Sequence, residues 1–413
     1  MSLLIIFLGL VFGFVAYKNF RLAAQIFICL LPTYLIRINI GPLPSTALEV
    51  AFGFLTLVWL IRYALTDYKN IRMFLVKHRI FSYSLALFFV SSLISIFISD
   101  MWWYSFGQWR AYFLEPIILF FIFIGRDDNL SYHDLLRALC WSSASVALYA
   151  IIQKLFDFGL DDSGRAVSFF TSPNAVGLYL APLMVLLTKQ LYDKKDKFLN
   201  NYLFLVKIPE FWLITASALA VVFTRSLGTV IGLIFALVVM FIIIGKRNFA
   251  AAIVVALVLS SIISYRMVNV SNQKFQSFQN RITLWTYSFD YLTASPKNYI
   301  FGTGLRQFFR KIQKPYYNSE KMERLIYPHN IFLNFWTEIG FIGLLGFAAI
   351  MANLLAFSQY ILQKKQLVAA AACLGIITVI IVHGLVDVPY FKNDLAMMFW
   401  ILTAYIIKVK EAA

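Results

Sequence analysis

The sequence contains few of the residues on which soluble enzymes commonly rely for catalysis. Its 413 residues include only 4 histidines and 3 cysteines, and charged residues make up 14% of the total. Hydrophobic residues make up 61%, and the mean hydropathy is +0.76. Soluble domains contain about 25% charged and 45–50% apolar residues, so the composition excludes an ordinary soluble protein. With so few histidines, one that stands at the end of an apolar segment is a candidate for chemistry.

The scarcity of cysteine and of acidic clusters excludes several kinds of site. Cys29, Cys140 and Cys373 lie far apart within apolar runs, which favours small buried hydrophobic residues over a disulfide or zinc framework. The acidic residues at 157, 161 and 162 do not have the spacing of a calcium loop and favour a solvated loop. A glycine-rich nucleotide loop is also missing. We therefore predict no metal and no cofactor, and we expect no nucleic-acid partner.

Apolar runs of about 15 to 22 residues recur along the chain, which is the length that crosses a hydrocarbon core of ~30 Å. The first run, residues 1–17, lacks a basic start and a small-residue cleavage site, so we expect a span rather than a signal peptide. These runs predict an all-α, polytopic membrane protein of about 12 or 13 transmembrane helices. With no internal repeat and no linker, residues 1–413 are predicted to form one integral membrane domain.

Lysine and arginine positions predict which loops face the cytoplasm, because short cytoplasmic loops retain them. The resulting alternation places the N-terminus outside and gives one large extracytoplasmic loop, residues 265–328. That loop has ten basic and three acidic residues. A basic outer surface favours an anionic partner such as phosphate; attraction to anionic lipid headgroups is the alternative.

His329 begins the most informative pattern in the chain: His329-Asn330, nine residues, then Gly340-Phe-Ile-Gly343. On a helical repeat His329, Gly340 and Gly343 share a stripe, which predicts a histidine where the helix emerges and a second helix packed on the glycines. An imidazole in this position can accept a proton from a hydroxyl group or orient that group. The alternative is a histidine that only caps the helix or reaches the interface.

Three arginines in predicted outer segments are candidates for binding an anion. Arg225 stands between two apolar segments with almost no loop, where its guanidinium could bind a diphosphate in a bidentate manner or simply reach the interface. Arg281 is predicted to open an amphipathic helix that has aromatic residues on its apolar face. Arg165 precedes the turn Ser172-Pro-Asn174, in which Asn174 is interpreted as a helix cap.

Other ionisable residues near the predicted outer face have two interpretations each. His383 and Asp387 are one helical turn apart, so they could form a second proton acceptor or a structural pair. Glu49 and Glu115 lie within apolar runs, where they could be functional or neutralise a neighbour such as Arg110.

The chain resembles the O-antigen ligase and O-antigen polymerase family of bacterial envelope proteins. Five stretches between residues 160 and 400 carry the resemblance, and the histidine pattern is the most specific of them. The others are residues 164–174, 223–228, 281–285 with 301–305, and 383–387.

The resemblance implies a fold like that of GT-C type glycosyltransferases and a multi-pass location in the bacterial cytoplasmic (inner) membrane, with the active site facing the periplasm. It implies an undecaprenyl-diphosphate-linked glycan donor and a hydroxyl acceptor on a lipid core, a cell-wall glycan or a protein, with membrane lipid as a further partner. In this interpretation Arg225, Arg281 and Arg165 bind the diphosphate and His329 is catalytic. Asn330, His383 and Asp387 would support them.

The sequence therefore predicts a metal-independent, inverting glycan transferase that resembles O-antigen ligases. A repeat-unit polymerase of the same family is the alternative with shared chemistry. A transporter or flippase of lipid-linked glycan is the alternative from another class, and it would concentrate ionisable groups at the membrane midplane. Here the informative charges lie near the predicted outer face.

Overall fold

The computed structural model describes residues 2–40, 43–126, 130–196, 206–246, 272–317 and 324–413. Within these ranges it has sixteen α-helices and one sheet of two antiparallel strands. The largest hydrophobic core extends from Phe12 to Val409 and is built mainly from apolar helix faces.

The N-terminal region consists of five helices and the small sheet. The helices are α1 (Ser2–Lys18), α2 (Phe20–Cys29), α3 (Ala47–Arg62), α4 (Ala64–Lys77) and α5 (Arg79–Ile98). A 3₁₀ turn at Leu31–Leu35 leads to β1 (Arg37–Ile40), which pairs with β2 (Leu43–Thr46). The Thr46 hydroxyl accepts a hydrogen bond from the backbone N–H of Glu49 at 3.2 Å and so caps α3. Helices α3 and α4 meet at an angle of 94°.

The central region contains six helices. They are α6 (Trp102–Trp109), α7 (Glu115–Gly125), α8 (Tyr132–Leu155), α9 (Pro173–Asp193), α10 (Pro209–Thr224) and α11 (Leu227–Ile243). A π-helical turn at Arg110–Leu114 joins α6 to α7. Ser131 caps α8 through a capping box with Asp134.

The C-terminal region contains the remaining five helices. They are α12 (Asn272–Thr293), α13 (Pro296–Phe301), α14 (Ile331–Gln363), α15 (Leu367–Gly384) and α16 (Asn393–Glu411). A π-helical turn at Phe308–Gln313 and a 3₁₀ turn at Lys314–Tyr316 lie between α13 and α14.

The predicted class, an all-α polytopic membrane protein, is confirmed. In the described ranges six helical segments are long and apolar enough to cross a membrane, and α3 with α4 forms a seventh candidate if the bent pair is one span. The six are Arg79–Ile98, Trp102–Gly125, Tyr132–Leu155, Pro173–Asp193, Ile331–Gln363 and Leu367–Gly384. Apolar helices in α1, α2, α10 and α11 are shorter. The count of about 12 or 13 spans stays a prediction, as does the single domain.

Contacts between loops follow the predicted sidedness. At the predicted outer side, the backbone N–H of Ala166 donates to the carbonyl of Phe223 at 3.1 Å, and the Asn330 amide donates to the carbonyl of Leu385 at 3.1 Å. Contacts at the other side join the predicted cytoplasmic segments; Lys194, for example, lies 2.7 Å from Glu210.

Glycines let the segment between α13 and α14 pack closely against its neighbours. Gly302 and Gly304 have φ of +67° and +82°, and a side chain at either would overlap backbone atoms of Trp336 and Thr337 or of residues 95–99. This confirms the predicted sharp turn with close backbone approach. Gly340 has φ of +75° and lies against Ile300 and Phe301, so it also breaks the helical path of α14. The regular stripe predicted from residue 329 to 343 is therefore wrong, although close packing at Gly340 is correct.

Candidate active site

His329 lies just before α14, in a turn rather than in the helix. Its φ is +53°, a left-handed conformation that non-glycine residues adopt uncommonly. The next residue, Asn330, is the N-cap, and its side-chain oxygen accepts hydrogen bonds of 3.0 Å from the backbone N–H groups of Phe332 and Leu333. The helix therefore begins after Asn330, and His329 lies outside it.

Asp387 is the acidic partner of His329. The two side chains approach to 3.4 Å between Nδ1 and Oδ1, which is longer than an optimal hydrogen bond. Asp387 is buried and also accepts a 2.9 Å hydrogen bond from the backbone N–H of Val388. Burial alone would raise the pKa of Asp387, but the contact with His329, together with smaller contributions from His383 and the backbone N–H of Val388, outweighs burial and holds this pKa below its usual value. Asp387 is thus held as a carboxylate beside the imidazole.

The predicted pairing of His383 with Asp387 is only partly correct. His383 is buried, and its charge acts on Asp387, but the direct contact of Asp387 is with His329. The spacing of residues 383 and 387 predicts a pair one helical turn apart, but it does not show that α14 begins beside them.

Arg225 lies just before α11, and the start of this helix packs against His383. A Cβ added to Gly228 would lie 3.1 Å from the His383 ring, so the first turn of α11 packs directly on that histidine. Arg225 itself ends α10 with φ of +52° and is exposed, while Thr224 and Ser226 on either side are buried. The tight left-handed turn therefore presents the guanidinium at the end of the helix pair.

Arg281 approaches the same group from α12. Its charge interacts with that of His383, and Trp285, one turn later, donates a 2.8 Å hydrogen bond from Nε1 to the carbonyl of Pro328. This bond fastens α12 to the turn that holds His329. The prediction that Arg281 opens its helix is wrong, because α12 already begins at Asn272.

Arg165 is engaged with an acidic neighbour. Its Nε and one terminal nitrogen each lie 2.8 Å from the same carboxylate oxygen of Asp161. Burial raises the pKa of Asp161, but hydrogen bonds from Arg165 and the Arg165 charge outweigh that and lower it. Since Ala166 bonds to Phe223, this loop adjoins the segment that leads to Arg225. Asn174 is not the cap: Ser172 occupies the N-cap position and Asn174 lies inside α9.

The two glutamates predicted to lie within apolar runs both contact Arg110. Glu49 lies 2.7 Å from Arg110 and Glu115 lies 3.4 Å from it. Glu49 also accepts hydrogen bonds from Ser45 and Asn393. Of their two interpretations, the structure favours charge balance.

Two features of the site were not predicted from the sequence. The bond from Trp285 to Pro328 joins residues 43 positions apart, and no pattern in the chain marks such a contact. Lys392 was also missed: burial lowers its pKa while Asp394 and Asp387 act to raise it. Its position five residues after Asp387 and just before α16 could have marked Lys392 as a neighbour of the site.

The arrangement can perform acid–base chemistry next to an anion. An imidazole backed by a carboxylate accepts a proton from a hydroxyl group, and two arginine-bearing segments meet around His383 nearby. Within the described ranges no group of three His, Cys, Asp or Glu side chains could hold a metal ion; independence of metal stays a prediction.

A family model described as O-Antigen ligase matches residues 212–348 of the chain. The match includes Arg225, Arg281, His329 and Asn330, whereas Arg165, His383 and Asp387 lie outside it. No curated protein matches the chain. The match confirms the family resemblance predicted from the sequence and supports a membrane glycan transferase of the O-antigen ligase or polymerase type.

Proposed function

We propose that the protein transfers a glycan from an undecaprenyl-diphosphate donor to a hydroxyl acceptor at the periplasmic face of the cytoplasmic membrane. The contact of His329 with Asp387, beside the arginine-bearing segments of α11 and α12, is the observation that carries the proposal. The match to O-Antigen ligase over residues 212–348 supports the same reaction class.

Arg225 and Arg281 bind the diphosphate of the donor. Within the described ranges neither guanidinium forms an ion pair with a carboxylate, so both are available to phosphate oxygens. As the glycosidic bond breaks, negative charge grows on the diphosphate, and fixed guanidinium groups stabilise that charge more in the transition state than in the bound donor. Arg165 would join them only by exchanging Asp161 for the diphosphate, since both its contacts go to that residue.

His329 activates the acceptor. Its Nδ1 faces Asp387, which leaves Nε2 to take the hydroxyl proton. The acceptor oxygen forms a bond to the anomeric carbon, the bond from that carbon to the phosphate oxygen breaks, and its electron pair leaves with undecaprenyl diphosphate. Asp387 stabilises the imidazolium that results and fixes the orientation of the ring. A single displacement of this kind inverts the anomeric configuration.

The proposal is tested with purified protein in liposomes that contain an undecaprenyl-diphosphate oligosaccharide and candidate acceptors. Mass spectrometry measures undecaprenyl diphosphate and the product in wild type, in His329→Ala and after addition of a chelator. We expect release that requires His329 and an acceptor and that survives chelation. Product mass distinguishes the ligase from the polymerase, since a polymerase extends a second lipid-linked glycan. Glycan movement across the bilayer without release would contradict the proposal and favour a transporter.

A further inference from the structure

The predicted cytoplasmic end contains a cavity of about 350 Å³ where α1, α2, α3, α7 and α8 begin or end. Its lining includes Lys18, Phe20, Arg21, Tyr63, Arg126 and Asp134. A second cavity of about 420 Å³ shares Arg126 and is also lined by Asp67 and Lys69. Ligand sites have volumes of about 300–1,000 Å³, so either space is large enough for a small polar group.

Positive charge predominates in the two cavities. Among the described lining residues, Lys18, Arg21, Lys69 and Arg126 face only two carboxylates, those of Asp67 and Asp134. Arg21 lies 2.6 Å from Asp134. The remaining cations give the cavities an electrostatic preference for an anion.

Arg126 joins the two cavities and has unused hydrogen-bonding capacity. Its side chain is 10% exposed, and its guanidinium lies 3.9 Å from the centre of the Tyr63 ring. One terminal nitrogen is 3.5 Å from Asp67. Its Nε is buried and has no hydrogen-bond partner within the described part of the chain. A buried donor without an acceptor is unfavourable, so the described residues do not satisfy the full hydrogen-bonding capacity of Arg126.

The surroundings of the cavities indicate a membrane surface. Arg126 directly follows the candidate span Trp102–Gly125, which places it at the level of lipid headgroups. Beside it, α4 bends 94° away from α3 and exposes Leu65 and Met73 to the exterior. Because α4 also has several lysines and arginines, it has the composition of a helix that lies in the membrane interface.

We propose that the cavity around Arg126 binds the phosphate of an anionic phospholipid headgroup. Basic pockets between membrane helices on the cytoplasmic side favour such headgroups. Arg126 and Lys18 supply positive charge to the phosphate, and α4 lies along the same leaflet. This site is at the opposite end of the molecule from His329 and does not depend on the proposed transfer reaction.

The test uses full-length protein in nanodiscs of phosphatidylcholine and phosphatidylglycerol, followed by native mass spectrometry of the lipid that remains bound. We expect wild type to retain phosphatidylglycerol preferentially. Arg126→Gln should retain about tenfold less and Lys18→Gln about fivefold less, since each removes a cation near the phosphate. Lys18 is exposed, so its variant folds even if Arg126→Gln does not. Lys364→Gln, at another exposed position, is the matched control and should behave as wild type.

Two results would overturn the proposal. One is equal retention of phosphatidylglycerol by wild type, Arg126→Gln and Lys18→Gln. The other is complete displacement of phosphatidylglycerol by inorganic phosphate, which would identify a site for free phosphate in place of a lipid.

Discussion

Four arginines, two at each end of the molecule, differ in how their charge is balanced. At the predicted cytoplasmic end, Arg21 lies 2.6 Å from Asp134 and Arg126 lies 3.5 Å from Asp67. At the candidate active site, Arg225 and Arg281 form no ion pair with a carboxylate of the described residues. The ion pair of Arg21 joins α2 to α8, whereas an arginine that lies next to an acid–base pair and has no carboxylate partner among the described residues is available to an anionic substrate.

Pairing with a carboxylate does not by itself distinguish the histidines, because His78 at the predicted cytoplasmic end lies 2.8 Å from Glu411. His329 contacts a buried carboxylate at the candidate active site, and His133 is exposed at the start of α8. If the comparison of the two ends is correct, chemistry depends on His329 and not on His133.

The largest effect is expected from His329→Ala. Loss of a general base reduces turnover by about 10²–10⁴-fold, whereas His133→Ala should leave turnover unchanged. The measurement is the rate of undecaprenyl diphosphate release in liposomes. An equal loss of turnover in both variants, with both proteins folded, would contradict a special role for His329.

The next effect is expected from Arg225→Gln and Arg281→Gln. Removal of one donor that stabilises transition-state charge reduces turnover by about 10²–10³-fold. Arg137→Gln is the control, since Arg137 is an exposed arginine on α8. Initial rates over a range of donor concentrations check this. Normal turnover in both outer variants would remove the diphosphate-binding role.

Much of the architecture could be predicted from sequence, because long apolar runs leave few alternatives to membrane helices. The candidate residues were found because His329 and Arg225 are chemically unusual where apolar segments end. Their partners could not be found in the same way. Asp387 meets His329 only because α14 and α15 are neighbours, a contact across 58 positions that local patterns do not show.

The backbone conformation near the site was also not predicted from the sequence. A uniform helical repeat placed His329 and Gly340 on one stripe, but Asn330 caps the helix and Gly340 breaks it. Both departures depend on backbone conformation with positive φ at His329 and Gly340, which residue patterns signal only weakly.

A smaller effect is expected from Trp285→Phe, which keeps the aromatic ring but removes the hydrogen bond to Pro328. One hydrogen bond contributes about 1 kcal/mol, so we expect a loss of about fivefold in kcat/KM, since α12 and the His329 turn then move independently. Trp141→Phe, at an exposed position on α8, is the control. A loss confined to protein stability, with unchanged kinetics, would show that the bond is only structural.

Gly228→Ala should produce a loss of similar or smaller size. The added methyl group would lie 3.0 Å from Val386 and 3.1 Å from the His383 ring, so these side chains must shift slightly and the site loses alignment. Gly53→Ala is the matched control because its added methyl meets nothing within 4 Å. The same kinetic assay compares them, and equal rates in both variants would show that the packing of α11 on His383 is unimportant.

The smallest effect concerns pH. The folded protein lowers the pKa of Asp387, so the stabilisation from its charged form is present above the unfolded pKa of about 3.9 and is lost as pH falls through the folded value. The difference in unfolding temperature between wild type and Asp387→Asn should therefore be constant from neutral pH to about pH 5 and shrink in stronger acid. Asp162→Asn, at an exposed position, is the control. A difference that grows with acidity would contradict this sign.

Equilibrium binding of undecaprenyl diphosphate to protein in nanodiscs tests most directly whether Arg225 and Arg281 bind the diphosphate. We expect the double variant Arg225→Gln, Arg281→Gln to bind at least about 100-fold more weakly than wild type, while Arg137→Gln binds as wild type does. Equal affinity in all three folded proteins would contradict it.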